Sequence, residues 1–534
     1  MGNNNKQSQT GNLILILVAM VLGVLIGMMF SAHQAGPSDS ALQGKVGEVL
    51  DLVESQYVDH VDPDSLSERL LKAMLSELDP HSTYLSARAT EQTEEAMRGN
   101  FDGVGLVLHR EGDTTYVGQV MDDGPSAGVG ILPGDMIVSV AGERVSGVDM
   151  PADSVVARLR GPRRSKVTVD VLRNGEPHSF TIQRAVIPYH TLSYSAMLDD
   201  TTGYIMLSSF SSTSHDEFRE ALLQLKRQGM RHLIFDLRGN GGGSLQSAVG
   251  IAGELLPAGS LIVYTKGAHS RRNDVHSRPG GAFTKGGVTV MVDENSASAS
   301  EVVSGALQDN DRATIVGRRT FGKGLVQGEF TLRDGSSVLL TTARYYTPSG
   351  RCIQRSYADG TEEYYRDYFN QLIDETYADS MTVTINDSTP YRTVGGRIVY
   401  GGGGIMPDHP LPYRKDTTFV YYNRLSSKGL ISRVAFDYVK RHAAELQARY
   451  PDAGSFRRGF TVDEAMVQSL VAEGERAGVP RNAASLAKQR PFIKALLKGE
   501  IGRSLFGNQG FFDTYTAFDD DLQQVLTLLK QKKI

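Results

Sequence analysis

Tryptophan is absent from this chain of 534 residues, and cysteine occurs once, at Cys352. A single thiol excludes an intramolecular disulfide framework and any multi-cysteine zinc or iron–sulfur site. An excess of basic charge is also missing. Against 61 Asp and Glu stand 56 Lys and Arg, a net charge of −5, so nothing draws the whole chain to nucleic acid and no such partner is expected. No H-E-x-x-H occurs, which excludes a zincin mechanism, and neither a metal nor a cofactor is expected. Internal repeats and low-complexity tracts are lacking too. What is present is ordinary: 40% apolar and 22% charged residues, which excludes a mostly disordered or fibrous chain. One core cannot serve this length, because single cores stop growing near about 250–300 residues, so three or four units are expected.

The uncharged run Leu13–Phe30 stands apart from this ordinary composition. As a helix it rises about 27 Å, close to the roughly 30 Å hydrocarbon thickness of a bilayer. It exceeds the roughly 7–15 residues of a cleavable signal core, and Ser31–Ala35 is a poor cleavage site. Residues 1–35 therefore read as a cytoplasmic stub and retained anchor. Lys6, the one charge before the run, votes for a cytoplasmic amino terminus. The expectation is a single-pass protein of the cytoplasmic (inner) membrane with its remaining bulk on the periplasmic or extracytoplasmic side, a compartment that suits one lone cysteine.

Periodicity divides the rest. Residues 40–100 read as helical, from Val46, Val49, Leu50 and Val53 and from Leu66, Leu70, Leu71, Met74 and Leu78, with Pro80 as the stop. Residues 101–187 carry short β-branched runs between Gly, Pro and Asp turns, with one helix near Asp153–Leu159. Residues 188–415 alternate strands and helices, an α/β core, onto which 40–100 is expected to pack. Residues 416–534 are helical, clearest over Leu430–Tyr450, Val462–Ala477 and Leu522–Lys532. The fold class is α/β and multidomain: membrane helix, helical segment, β-rich module, α/β core and helical C-terminal domain.

In the β-rich module, Gly103-Val104-Gly105-Leu106 opens a strand. Its glycines let successive N–H groups converge into an anion nest, and the strand edge after it can accept an extended chain. A protein's C-terminal carboxylate satisfies both demands, although a G-x-G alone is usually a turn. Together with Gly124-Pro125-Ser126-Ala127-Gly128 and Leu132-Pro133-Gly134-Asp135-Met136-Ile137, the stretch resembles a PDZ domain. That resemblance implies that Gly103, Val104, Gly105 and Leu106 form the carboxylate-binding loop.

Three motifs in the core carry chemistry. Asp293–Glu301 (DENSASASE) links an apolar strand to an apolar helix. Ser298-x-x-Glu301 there matches a capping box; the same helix start, with its partial positive charge and free N–H groups, is also where an alkoxide or oxyanion would be stabilised. No histidine stands out as a base, and His269 and His276, among Arg271, Arg272 and Arg278, read as solvated. In Thr320-Phe321-Gly322-Lys323-Gly324 the flanking glycines allow a lysine to be drawn inside, and desolvation can make such an amine neutral near pH 7. Gln327 lies four residues on, on the same face if the segment is extended, where its amide could orient the amine. Asp236–Ser244 (DLRGNGGGS) is neither a Walker loop nor a dinucleotide fingerprint. It is an oxyanion hole or a tight strand–helix connection, and spacing does not separate the two.

In this order the three motifs resemble the carboxyl-terminal processing peptidases, also called tail-specific proteases. The match extends to Leu78–Tyr84 (LDPHSTY) and Gly401–Asp408 (GGGGIMPD), covering about residues 45–415. The resemblance implies a crotonase-like core and a serine endopeptidase in which Ser298 is the nucleophile, Lys323 the general base and Gln327 its orienting partner. It places the oxyanion hole at the amides of Ala299 and Gly242, and it selects Ser298 over Ser296 and Ser300. Substrates would be proteins and peptides with free C-termini, captured by the PDZ module, and the sequence leaves room for a homo-oligomer or an adaptor protein. Gly239 departs from the family's usual asparagine, and Arg163-Arg164 replace a commoner glycine-containing turn. Two alternatives remain: a non-catalytic PDZ scaffold and a crotonase-like acyl-transfer enzyme. Ser485-x-x-Lys488 lacks the companion motifs of penicillin-binding proteins and reads as an exposed helix face.

Overall fold

A computed structural model describes residues 40–373, 387–412 and 420–534. The expected span Leu13–Phe30 lies outside them, and among the described residues no helix is long and apolar enough to cross a membrane. The chain falls into two units, 1–74 and 75–534. The first holds the helix Ser40–Gln56 and most of Pro63–Ser76, whose last residues belong to the second unit.

The centre of the second unit is a six-stranded sheet in the order Leu192–Met197, Thr202–Leu207, His232–Asp236, Gly287–Val292, Thr314–Gly317 and His409–Pro410. All pairings but the first are parallel. Strands covered on both faces need unbroken apolar runs, and Val288, Val290, Met291 and Val292 are all buried. The helices Ser214–Arg227, Leu245–Leu255 and Ala299–Asp309 make the crossovers; their apolar faces meet the sheet through Phe218, Leu222, Ile251 and Val303. In register, Met206 sits opposite Asp236, and Asp236 opposite Met291. The loops that follow Asp236 and Val292 therefore leave the same end of the sheet side by side, the usual ligand edge of a parallel sheet.

A second, antiparallel sheet joins Thr83–Leu85, Ser337–Tyr346, Leu261–Lys266 and Asn273–His276, with Leu325–Thr331 paired to Ser337–Tyr346. His276 thus ends a strand rather than lying in a loop, and it is exposed, as is His269. The β-rich module forms its own sheet in the order Leu106–Glu111, Thr114–Val120, Met136–Val140, Lys166–Arg173 and Glu176–Gln183. Leu106–Glu111 is an edge strand of that sheet.

The C-terminal helices share a separate apolar core that includes Leu425, Val439, Phe456, Leu470, Leu497 and Ile501. Its longest element, Ala483–Tyr515, is the one the sequence pattern leaves unread. Pro491 interrupts it, a break falls at Phe506–Gly507, and no apolar stripe persists through it. Of the Ser485–Lys488 pair expected on an exposed helix face, Lys488 is exposed but Ser485 is buried beside Leu486. This helical region touches the β-rich module: the Phe436 ring lies 4.2 Å from His109, and Lys440 Nζ is 3.3 Å from Glu111 Oε2.

Candidate active site

Ser298 occupies the turn between strand Gly287–Val292 and helix Ala299–Asp309 with φ +54° and ψ −110°. A non-glycine residue costs about 1–3 kcal/mol to hold there, and only its surroundings can enforce it. Those surroundings centre on Glu301. Its fully buried carboxylate accepts the amides of Ser298 (2.9 Å), Gly322 (2.8 Å) and Lys323 (2.8 Å) and the hydroxyl of Thr320 (2.6 Å). Four donors fill a carboxylate's four lone-pair sites. Burial pushes its carboxyl above the usual range, against the pull of those donors.

The capping box read from the sequence therefore has a second use. Glu301 caps Ser298 and also binds the backbone of Lys323, which is not on that helix. The Glu301 amide is itself taken by the Ser298 carbonyl at 2.9 Å. Tyr345 repeats the bridge from the opposite side. Its buried hydroxyl donates to the carbonyls of Ser298 (3.1 Å) and Lys323.

The structure thus draws together the backbones of Ser298 and Lys323. No hydrogen bond closes between Ser298 Oγ and Lys323 Nζ among the described residues. Ser298 and Lys323 both remain partly exposed. Burial pulls the Lys323 amine below the ordinary lysine value, and the nearby carboxylates of Glu301 and Asp79 only partly oppose it. His81 adds no charge beside it. Burial, with the cations Lys323 and Arg355, pulls its imidazole down to about 4, while Asp79 pushes the other way. The His81 ring is placed by Tyr364, whose hydroxyl lies 3.1 Å from Nε2.

Gln327 is not placed as its spacing suggests. The strand begins only at Leu325, after Lys323, and a bulge falls between Val326 and Gln327, so the alternation that would align the two side chains is broken. Gln327 Nε2 instead donates to Thr341 Oγ1 at 3.2 Å. Thr341 in turn bonds Asp79, whose carboxyl stays low because hydrogen bonds from Ser82, His81 and Thr341 outweigh its burial.

Gly242 lies against Ser298. A Cβ on it would stand 2.8 Å from Ser298 Cβ and 3.0 Å from the Ala299 nitrogen, and its φ of +101° also demands glycine. Ala299 opens the helix, where first-turn amides have no intrahelical acceptor. The Gly242 amide, however, donates to Asn240 Oδ1 at 2.9 Å. Asn240 is wholly buried, with its Nδ2 on the Leu207 carbonyl at 2.8 Å. Sequence reading passed over Asn240, Tyr345 and Asp79, each of which has a partner far along the chain, in Leu207, Ser298 and Thr341; Asp79 sat in a motif already noted, and so was the nearest to being found.

Gly103 to Leu106, expected to bind a carboxylate, belong to the separate β-rich module. Gly103 ends strand Asn100–Gly103, which pairs with Ala185–Pro188. The Val104 carbonyl accepts the Ser126 hydroxyl at 2.6 Å. Gly105 has φ +73°, and a Cβ there would meet Gly124 Cα at 2.7 Å. Leu106 begins the edge strand, whose outer side is unpaired in the sheet.

Comparison with known proteins bears on these features. Residues 201–363 match peptidase family S41, residues 116–173 a PDZ domain, and residues 421–507 a family of unknown function, DUF8443. A carboxy-terminal-processing protease of Bartonella bacilliformis is 34% identical over 319 residues, 58% of this chain and 72% of that protein. A probable CtpA-like serine protease of Staphylococcus aureus is 31% identical over 342 residues, 63% of this chain and 68% of that one. The solved photosystem II D1 C-terminal processing protease aligns at 24% identity and a TM-score of 0.34, over 70% of this chain and 89% of the other.

Proposed function

This chain belongs to peptidase family S41, that of the carboxy-terminal-processing serine proteases, and on that premise we propose that it captures protein C-termini in its PDZ domain and cleaves them through a Ser298–Lys323 dyad. One observation carries the assignment: the buried Glu301 carboxylate binds the amides of both residues, at 2.9 and 2.8 Å. A neutral Lys323 takes the Ser298 proton as Oγ bonds to the scissile carbonyl carbon. The oxyanion so formed is received by the amides of Ala299 and Gly242, the latter exchanging Asn240 Oδ1 for it. The Lys323 ammonium then protonates the leaving amine as the C–N bond breaks. Water, deprotonated by Lys323, releases the acyl group and restores the serine. Gln327 acts at one remove, through Thr341 and Asp79.

In the PDZ domain, Gly103 to Leu106 receive the terminal carboxylate and the free edge of Leu106–Glu111 takes the tail as an added strand. The enzyme is tethered by Leu13–Phe30, with its catalytic part outside the cytoplasmic membrane; alkaline extraction that releases the full-length chain from membranes would refute the tether. Ser298→Ala tests the reaction. It is expected to abolish peptide hydrolysis while tail-peptide binding persists, and residual turnover in that variant would refute the dyad.

A further inference from the structure

We propose that Asp519, which caps the last helix, is a positioning residue for the catalytic loops, so that the C-terminal helical region completes the active centre. This rests on the reaction assigned above. Asp519 accepts the Leu522 amide at 3.1 Å, the N-cap duty of the helix Asp520–Lys530. Its carboxylate also grips Arg238 with two bonds, Oδ2 to Nη2 at 2.6 Å and Oδ1 to Nη1 at 3.1 Å.

Arg238 stands at the start of the loop that carries Asn240 and Gly242. On its inner side it meets Asp236 Oδ2 at 2.5 Å, and that oxygen also accepts the Tyr204 hydroxyl at 2.6 Å. Asp521 makes the matching contact to the neighbouring loop. Its Oδ2 lies 2.9 Å from Arg318 Nη1, and Arg318 Nε lies 3.0 Å from Glu294, in the turn that ends at Ser298. Asp293 joins the two loops, accepting the amides of Gly239 (2.9 Å) and Asn295 (3.0 Å). One helix start thus holds, through two guanidiniums, the glycine loop and the nucleophile turn.

Stability alone does not explain the arrangement. Leu522 and Val525 already bury the helix against Tyr204, Ile234, Met291 and Val316. Buried ion pairs add little to folding over apolar packing; what they supply is a fixed geometry. Four carboxylates against two guanidiniums are tolerable here because two of the acids sit at a helix N-terminus, where negative charge is favoured.

The test uses the full chain. Asp519→Asn, alone and with Asp521→Asn, keeps volume and cap while removing charge. The double variant is expected to lose about tenfold in kcat, the ordinary scale of coupling within one ion-pair network, with KM held within about twofold. Hydrogen exchange is expected to quicken at 238–244, with protection elsewhere in the core unchanged, and Asp519→Glu should restore part of kcat. Unchanged kcat and exchange would overturn the proposal. So would a fall in kcat that accompanies loss of protection throughout the core, the mark of a merely structural role. Quickened exchange at 238–244 in a chain whose parent has no Ser298-dependent turnover would support the anchoring and defeat the assigned reaction instead.

Discussion

The PDZ domain and the protease core are mounted by different means. The PDZ residue Asp153 reaches Arg88 through a pair whose side chains are mostly in water, and Arg160 reaches Glu95 through one that is half-buried. The core fixes Ser298 and Lys323 with carboxylates out of water: Glu301 beneath both, Asp236 under Arg238, and Asp79 beside Lys323. Exposed pairs contribute about 0–1 kcal/mol and let go readily, whereas breaking a buried charged contact leaves its partner stranded. The lesson is one of degree: the PDZ domain is held partly by solvated and half-buried contacts, whereas Ser298 and Lys323 are held by a fully buried carboxylate.

Lys323→Arg is the most severe way to break the comparison. The guanidinium keeps its proton near neutral pH, so kcat is expected to fall roughly 10³-fold or more in peptide hydrolysis, with folding retained. Glu301→Gln comes next. Its amide would present N–H groups to N–H donors, and denaturant unfolding is expected to show a loss of about 1–3 kcal/mol alongside reduced turnover. A Glu301→Gln enzyme as stable and active as its parent would remove the buried half of the contrast.

On the PDZ side, Gly105→Ala forces a Cβ into Gly124 in a left-handed backbone. It should raise KM for tail-bearing proteins about tenfold while kcat on short peptides stays put. Acid sharpens the contrast further. His81 is held near 4 in the folded chain against 6.5 when unfolded, so between those values the unfolded chain binds the extra proton. Stability is therefore lost as pH falls from about 6.5 toward 4, by an order of 2 kcal/mol. His81→Gln should flatten that slope in urea titrations. The smallest effect is reserved for Arg88→Ala, expected to change stability by less than about 0.5 kcal/mol.

Much of this was legible in the sequence because its signals are local. Strand–turn–helix punctuation placed DLRGNGGG and DENSASASE each between a strand and a helix, and family resemblance separated Ser298 from Ser296 and Ser300. The S-x-x-E box was read correctly as a cap, but a box cannot tell that the same carboxylate also receives an amide from residue 323. The same-face spacing of Gln327 and Lys323 does not hold because a bulge, invisible to a period-two argument, interrupts the strand. Tyr345 and Asp519 were unreadable for a different reason. Their partners lie 22 to 281 positions away, brought near only by the sheet and the final helix. The helix Ala483–Tyr515 escaped because proline and glycine within it erase the stripe that periodicity needs.

The account turns on the charge of one amine. With lysines carrying carbon-13 at Cε, the Lys323 resonance, assigned by its loss in Lys323→Arg, can be followed with pH in the folded full-length chain. The predicted midpoint lies below the ordinary lysine value of 10.5, and the rate of Ser298 acylation by a fluorophosphonate should rise with pH through the same midpoint. A Lys323 that titrates at 10.5 or above, with acylation indifferent to its charge, would contradict the mechanism.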